Sequence, residues 1–413
     1  MNLEARRAIE ALRSGVPNRS AVSFLRLGQP AIEARFDELL NVAGSNDARN
    51  PGFIIGGEFG SGKSHVLQYL NRTALARGFA TSLVTISKET PLSSIEDVFK
   101  AAIRELSLPD RLSGDFNEVA TKLQPASDAY KDFESDLRSG TIRLNPLFPA
   151  TLLISRSLSA NEEFCDKIYG FWAGGRINVA EVKKELRLQH VTDLAVSRYR
   201  ATDIAPERFV FTSGLIRAAG YRGWILLLDE TELIASFPLQ ARARAYAELA
   251  WLLGYGVSSV PGLGVVAAAT KEFTGVVLRE KQDQIKIPLS KLSEKDPALV
   301  ERAVQALKII DEQAGHWESI RPHEDLDSVF REVRELYRRA FDWESSLDVR
   351  PAYTDVSRSM RMHVREWITR WDLERLDPSY SANIESEVIT PDLAEREGLE
   401  GFSEVDDADE DAS

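Results

Sequence analysis

The chain has 413 residues, enough for two or three domains at about 150 residues each. Its single cysteine, Cys165, rules out an internal disulfide framework or cysteine-built metal site and suits a reducing, cytoplasmic setting, and no apolar run approaches the roughly 18 residues that span a bilayer. Met1-Asn2-Leu3-Glu4-Ala5-Arg6-Arg7 lacks the apolar centre of a signal peptide. Of the net charge of −13, residues 381–413 carry −11, leaving −2 for the body, so the acidity does not argue against a local patch for nucleic acid.

Residues 3–14, with Leu3, Ala8, Ile9 and Leu12 apolar, read as an amphipathic helix. Gly15-Val16-Pro17-Asn18-Arg19 breaks it. A second helical segment runs from about Ser20 to Leu27, and a third over 30–42 puts Ile32, Phe36, Leu39 and Leu40 on one face.

The next stretch dominates the chain. Gly52-Phe53-Ile54-Ile55 reads as a buried strand, and Gly57-Glu58-Phe59-Gly60-Ser61-Gly62-Lys63-Ser64 fits the phosphate-binding pattern G-x-x-x-x-G-K-[ST]. A helical pattern follows from His65 to Arg77, with Gly78 as its stop. Glycines let a backbone wind around a phosphate chain without Cβ clashes, and successive N–H groups at a helix N-terminus then face the negative charge. Lys63 would reach the β- and γ-phosphates and Ser64 would hold Mg²⁺. In many P-loop ATPases a helical lead-in covers the adenine. On that reading Val16, Pro17 and Asn18 touch the base; on the alternative they form a turn between packed helices.

Thr81 to Ile86 is a short second strand, and Ser93 with Glu96 opens a helix to Leu106 through a capping box. Residues 109–205, punctuated by Pro109, Gly114, Pro125, Gly140, Pro146 and Pro149, read as a mostly helical insertion. The modest basic surplus at 176–200 is either a solvated helix face or a surface for nucleic acid or a partner. Trp224-Ile225-Leu226-Leu227-Leu228-Asp229-Glu230 is an apolar strand ending in two carboxylates, the Walker B pattern. Asp229 would hold the Mg²⁺ shell and Glu230 would polarise the attacking water. The 166 residues from Lys63 to Asp229 are accounted for by the insertion.

After a helix over 239–253, Leu263 to Thr270 forms another buried strand. Ligands in parallel α/β sheets sit outside the carboxyl ends of the strands, so Thr270 is either a γ-phosphate or water contact ("sensor 1") or plain strand-end turn chemistry. A helix over 271–281 carries Arg279, read as an arginine finger for a neighbouring subunit or as a solvated helix-end cation. Ile285 to Leu289 is expected as the fifth strand, and 294–376 as helical throughout. Arg361 is the candidate "sensor 2" at the start of the last helix, with Arg365 one turn on; His323 and His363 read as structural or surface residues. The tail, 381–413, is acidic and expected to be disordered.

This order predicts an α/β fold of the AAA+ P-loop NTPase type, a parallel sheet flanked by helices. The expected division is a lead-in over the adenine (1–45), the core in two parts (46–108 and 206–292), the helical insertion (109–205), a helical lid (293–378) and the tail (379–413). No Leu-Ser-Gly-Gly signature or Asn-Lys-x-Asp base-reading motif occurs, and there is no room for a second RecA-like domain. The chain resembles the BrxD-type ATP-binding proteins of bacterial phage-exclusion (BREX) systems, a branch related to origin-recognition ATPases. The likeness covers about 4–376 and rests on four stretches: Ala11 to Arg19, Gly57 to His65, Leu227-Leu228-Asp229-Glu230-Thr231-Glu232, and Arg361-Met362-His363-Val364-Arg365-Glu366. It implies an ATPase that uses ATP and Mg²⁺, with His65 within the nucleotide loop. It also implies defence proteins of helicase or methyltransferase type as partners, double-stranded DNA as a possible one, and assembly into a homo-oligomer. A slow-turnover switch or scaffold, and a transposition-regulator ATPase, are the alternatives.

Overall fold

The computed structural model describes residues 2–14, 27–45, 51–110, 116–157, 162–255, 259–311, 315–320, 326–345 and 360–377. Its centre is a six-stranded sheet. The strands are β1 (Gly52–Gly57), β2 (Ala80–Thr85), β3 (Leu106–Ser107), β4 (Trp224–Asp229), β5 (Leu263–Thr270) and β6 (Trp317–Ser319), in the order β3-β2-β4-β5-β1-β6. All neighbours are parallel except β3, which runs antiparallel to β2.

Parallel sheets are covered on both faces, and the strand sequences show it: every residue of β4 and β5 is buried. Alternate side chains feed two cores. Trp224, Leu226 and Leu228 of β4, with Val265, Ala267 and Ala269 of β5, join the larger core. Ile225, Leu227, Val266 and Ala268 join Phe53, Ile55 and the helices Pro30–Ala43 and Lys63–Ala76 on the other face. Trp224 anchors the larger core, stacked on Phe209 with 5.6 Å between ring centroids and edge-on to Phe99 at 6.4 Å. Its indole N–H donates to Ser82 Oγ at 3.0 Å, so the polar end of the ring is also satisfied.

Between residues 109 and 205 the described chain is mostly helical, with helices at Phe116–Thr121, Asp128–Ser139, Leu147–Ser155, Glu162–Trp172 and Val179–Leu188. They are fused to the core. Phe133 lies so close over Gly214 that any Cβ there would collide with its ring. The buried Arg208 donates to the carbonyls of Phe171 and Gly175 and lies against the rings of Phe99 and Phe171.

Three expectations are corrected. Asp283–Leu289 is a helix, not a strand. The alternation of Ile285, Ile287 and Leu289 mimics a strand, yet only Ile287 is buried, while Ile285 and Leu289 are 52% and 80% exposed. The segment is fixed by Asp283, whose carboxylate accepts from Arg242 Nε and Nη2, both at 2.8 Å, and from the Tyr246 hydroxyl at 2.6 Å. The strand on the far side of β1 is instead β6, so 294–376 is not helical throughout. β6 is held through Ile54 N–H to His316 O at 2.9 Å and Ile320 N–H to Gly56 O at 2.8 Å. The helix after β2 begins at Ile95, and its N-cap is Ser94, whose hydroxyl accepts from Asp97 N at 3.4 Å; the capping residue is one later than the Ser93 expected.

The N-terminal helix Leu3–Ser14 does not lie on the sheet. Its Ala5, Ala8 and Ile9 form a separate core with the helices Leu326–Phe341 and Met360–Leu376, around Phe330, Trp367 and Trp371.

The Arg242–Asp283 pair is buried, so losing one partner strands a charge. Asp283→Asn is expected to lower stability by about 3 kcal/mol, read as an earlier urea midpoint. An unchanged midpoint would show that Asp283 does not hold this segment.

Candidate functional site

Glycine chemistry shapes the loop between β1 and the helix Lys63–Ala76. Gly60 and Gly62 sit at φ 78° and 100°, in the left-handed region that favours glycine. Gly62 is the N-cap of the helix and supplies no side-chain cap, and no acidic residue lies in the first turn. A Cβ at Gly62 would meet nothing within 4 Å, so open space lies over an uncapped helix N-terminus, the usual seat of an anion.

Lys63 is only 8% exposed, and its ammonium folds back to donate to Gly57 O and Glu58 O, both at 3.2 Å. Burial lowers its pKa; Glu232, Asp229 and Glu272, in that order, pull it up, and Arg361 pushes it down. Ser64 follows on the first helical turn. His65 is held neutral, its pKa lowered to about 4 by burial. Glu58 is exposed, as is Phe59, whose ring lies 5.5 Å from the Arg361 guanidinium. The Arg361 backbone N–H donates to Gly60 O at 3.2 Å, so the C-terminal helix starts on the loop itself.

The sheet register brings the other candidates alongside. Gly57 at the end of β1 pairs with Thr270 at the end of β5, and Leu228 of β4 pairs with Ala267 of β5. Asp229 and Glu230 therefore leave the sheet at the same edge as the loop. Asp229 is buried, and one carboxylate oxygen accepts from Glu230 N at 3.0 Å. Glu230 reaches the surface with φ 57°, an uncommon left-handed conformation for a side chain of this size. Partial desolvation and the Asp229 charge raise its pKa, while Lys63 and Arg361 lower it. Thr270 is fully buried and its hydroxyl has no hydrogen-bond partner; Ser61 Oγ is buried and unpartnered too.

One predicted residue among those described stands apart. Arg279 lies exposed on the turn Val276–Glu280, with its guanidinium over Gly275, and is not among the charges acting on Lys63 or Glu230. Val16, Pro17 and Asn18 fall outside the described residues, as does the acidic tail beyond 377.

Sequence reasoning missed Glu232. It sits on the turn Thr231–Ser236 that follows β4, 5% exposed, with Oε2 buried and unpartnered. The only signal was the Asp-Glu-Thr-Glu spacing, a second carboxylate two positions past Glu230.

Residues 2–123 match the family described as BREX system ATP-binding protein BrxC/D. Over that segment the chain is similar to BrxC/D-type proteins. A search of curated proteins finds no match. The matched segment contains the whole loop and its helix. The family is one of ATP-binding proteins in BREX phage-defence systems. The loop fits a bound nucleotide: the helix N-terminus is uncapped, the space over Gly62 is open, and buried oxygens of Ser61 and Thr270 lack partners beside Lys63. No described helix is long and apolar enough to cross a membrane.

Burial raises the Glu232 pKa to about 7 from an ordinary 4.5, against the pull of Lys63. Both folded and unfolded forms are protonated below pH 4.5, so the ionisation cost is absent there, grows as pH rises, and is complete above pH 7. Glu232→Gln is therefore expected to stabilise the nucleotide-free protein by about 3 kcal/mol at about pH 8 and to leave it unchanged at low pH. Thermal melts across pH check this; a shift of equal size at both ends contradicts it.

Proposed function

We propose that the protein binds Mg-ATP at the loop 57–65 and hydrolyses it, as an AAA+-type ATPase serving a DNA-associated anti-phage complex. The observation that carries the reading is convergence. An uncapped helix N-terminus with Lys63, a strand-end carboxylate pair and a buried unpartnered threonine meet at one edge of three adjacent strands. Strand β5 between β1 and β4 supports the AAA+ assignment, since it sets Thr270 between the loop and the carboxylates.

In this reading the backbone N–H groups of 58–64 and Lys63 would bind the phosphates, and Ser64 and Asp229 would hold Mg²⁺, whose positive charge would be supplied to the phosphate oxygens. Lys63 would exchange its bonds to Gly57 O and Glu58 O for bonds to phosphate. Glu230 orients a water and accepts its proton; its raised pKa suits that task. Thr270 donates to the γ-phosphate or the water, and Arg361 reaches the γ-phosphate from the C-terminal helix. Arg279, exposed on Val276–Glu280, acts on a neighbouring subunit in a homo-oligomer. Val16, Pro17 and Asn18 contact the adenine. The functional division keeps the core at 46–108 and 206–292, the insertion at 109–205 and the lid at 293–378, with β6 returned from the lid segment to the core sheet. Partners are defence proteins of helicase or methyltransferase type, and duplex DNA.

A slow-turnover switch is the second reading, favoured by the bond from Arg361 N to Gly60 O. That bond ties the C-terminal helix to the loop, so occupancy of the loop would move the helix with or without rapid hydrolysis.

Lys63→Ala is expected to abolish ATP binding or turnover. Glu230→Gln should bind ATP normally and lose about 100-fold or more in steady-state turnover; full activity in Glu230→Gln would remove it from the reaction. Mixing Arg279→Ala with Lys63→Ala subunits should restore part of the activity. No recovery at any ratio would mean that Arg279 does not act across an interface.

A further inference from the structure

Residues 176–200 carry six basic side chains against three acidic ones, and the fold sorts them. The helix Val179–Leu188 turns Val182 and Leu186 into the larger core. At about 3.6 residues per turn, Glu181 and Glu185 then share one flank, while Lys183, Lys184 and Arg187 cover the outer face and the opposite flank. Glu181 is committed to the helix Glu162–Trp172, where its carboxylate accepts from Lys167 Nζ at 3.3 Å. Lys183, Lys184 and Arg187 are exposed, and among the described residues none of the three side chains has a hydrogen-bond or ion-pair partner. Two more cations join them at the start of the helix. Ile177 N–H donates to the Tyr199 hydroxyl at 3.1 Å, and the Tyr199 ring meets Phe171 edge-on at 5.9 Å. That bond holds the chain at 199 against the helix start. Arg176 and Arg198, each one residue from it, are therefore brought to the same end; both are exposed and equally without partners among the described residues. The platform is braced by the buried Arg208, which donates to Gly175 O at 2.8 Å, next to Arg176, from the helix Ala205–Ala218.

We propose that Arg176, Lys183, Lys184, Arg187 and Arg198 form a docking ridge for the phosphate backbone of duplex DNA. The proposal rests on the reading of duplex DNA as a partner and is independent of the nucleotide site. Like charges at helical neighbour positions repel, as Lys183 and Lys184 do with Arg187, and a face built only for solvent mixes the two signs. A polyanion removes that repulsion. The helix rises about 14 Å from Asn178 to Arg187, the length over which one strand of a duplex presents about four phosphates. Lysine and arginine head groups neutralise phosphates whatever the base sequence, so the ridge positions a duplex without reading it. A duplex fits better than a single strand, because single-strand sites stack bases on free aromatic rings. The one aromatic ring within 176–200, Tyr199, is half-buried with its hydroxyl engaged by Ile177.

The test is fluorescence anisotropy of the full chain on a labelled duplex of about 25 base pairs, across salt from about 50 to 200 mM. The triple variant Lys183→Ala, Lys184→Ala, Arg187→Ala is expected to weaken binding by about tenfold or more at about 0.1 M salt, and to lower the slope of log K against log salt by about 2 to 3. Arg176→Ala with Arg198→Ala should lower the slope by about 2, and serves if the triple variant does not fold. Lys286→Ala, Lys291→Ala, Lys295→Ala removes the same charge from exposed lysines elsewhere and should keep duplex affinity within about twofold. Binding of mant-ADP should be the same in wild type and all three variants. Duplex binding that both ridge variants leave intact would overturn the ridge and keep DNA as a partner. An equal loss in the Lys286, Lys291, Lys295 variant would show a response to net charge alone and also overturn it. Tighter binding of the single strand, or of labelled poly-glutamate, than of the duplex would assign the ridge to another partner and overturn the proposal. No duplex binding by wild type would overturn the ridge and the DNA-partner reading together, with mant-ADP binding still reporting on the nucleotide site.

Discussion

Everything at this site turns on how a buried lysine is kept charged and available. Lys63 lies where burial disfavours an ammonium, and it is compensated by two backbone carbonyls and by the field of Glu232, Asp229 and Glu272. Carbonyl bonds are weaker partners than phosphate oxygens, so the arrangement holds the side chain in readiness without trapping it. The loop's glycines serve the same end. Their left-handed backbone at Gly60 and Gly62 turns the chain so tightly that the Lys63 side chain can return to Gly57 and Glu58.

The sheet explains why these groups meet. Because β5 separates β1 from β4, the loop and the Asp229–Glu230 pair are not on neighbouring strands, and the gap is filled by the buried Thr270. Full burial of β4 and β5 makes that edge rigid, and the helical segment between 109 and 205, locked by Arg208 and by Phe133 over Gly214, adds bulk to one face. The smaller core of Leu3–Ser14, Leu326–Phe341 and Met360–Leu376 touches the loop through Arg361 at Gly60 and Phe59.

Much of this was legible in the residues because local chemistry dictated it. Left-handed glycines, a lysine and a serine at fixed spacing after an apolar strand leave little choice of structure, and the continuous apolar runs of β4 and β5 could only be covered strands. What escaped was set by distant partners. Asp283–Leu289 carries a strand's alternation, yet its shape is decided by Arg242 and Tyr246, 41 and 37 residues away. The three residues of β6 are too few for any periodic signal, and they are strand only because β1 has an open edge. Glu232 escaped for a related reason: its spacing from Asp229 was visible, but its burial depends on the turn Thr231–Ser236, which Thr231 bonds to β5.

The most direct test of the account is a structure of the full chain with a non-hydrolysable ATP analogue and Mg²⁺. The account predicts the triphosphate over Gly62 at the N-terminus of Lys63–Ala76, with the Lys63 ammonium moved from Gly57 O and Glu58 O onto phosphate oxygens. An analogue bound elsewhere, or a Lys63 still bonded to those two carbonyls beneath a bound triphosphate, would contradict it.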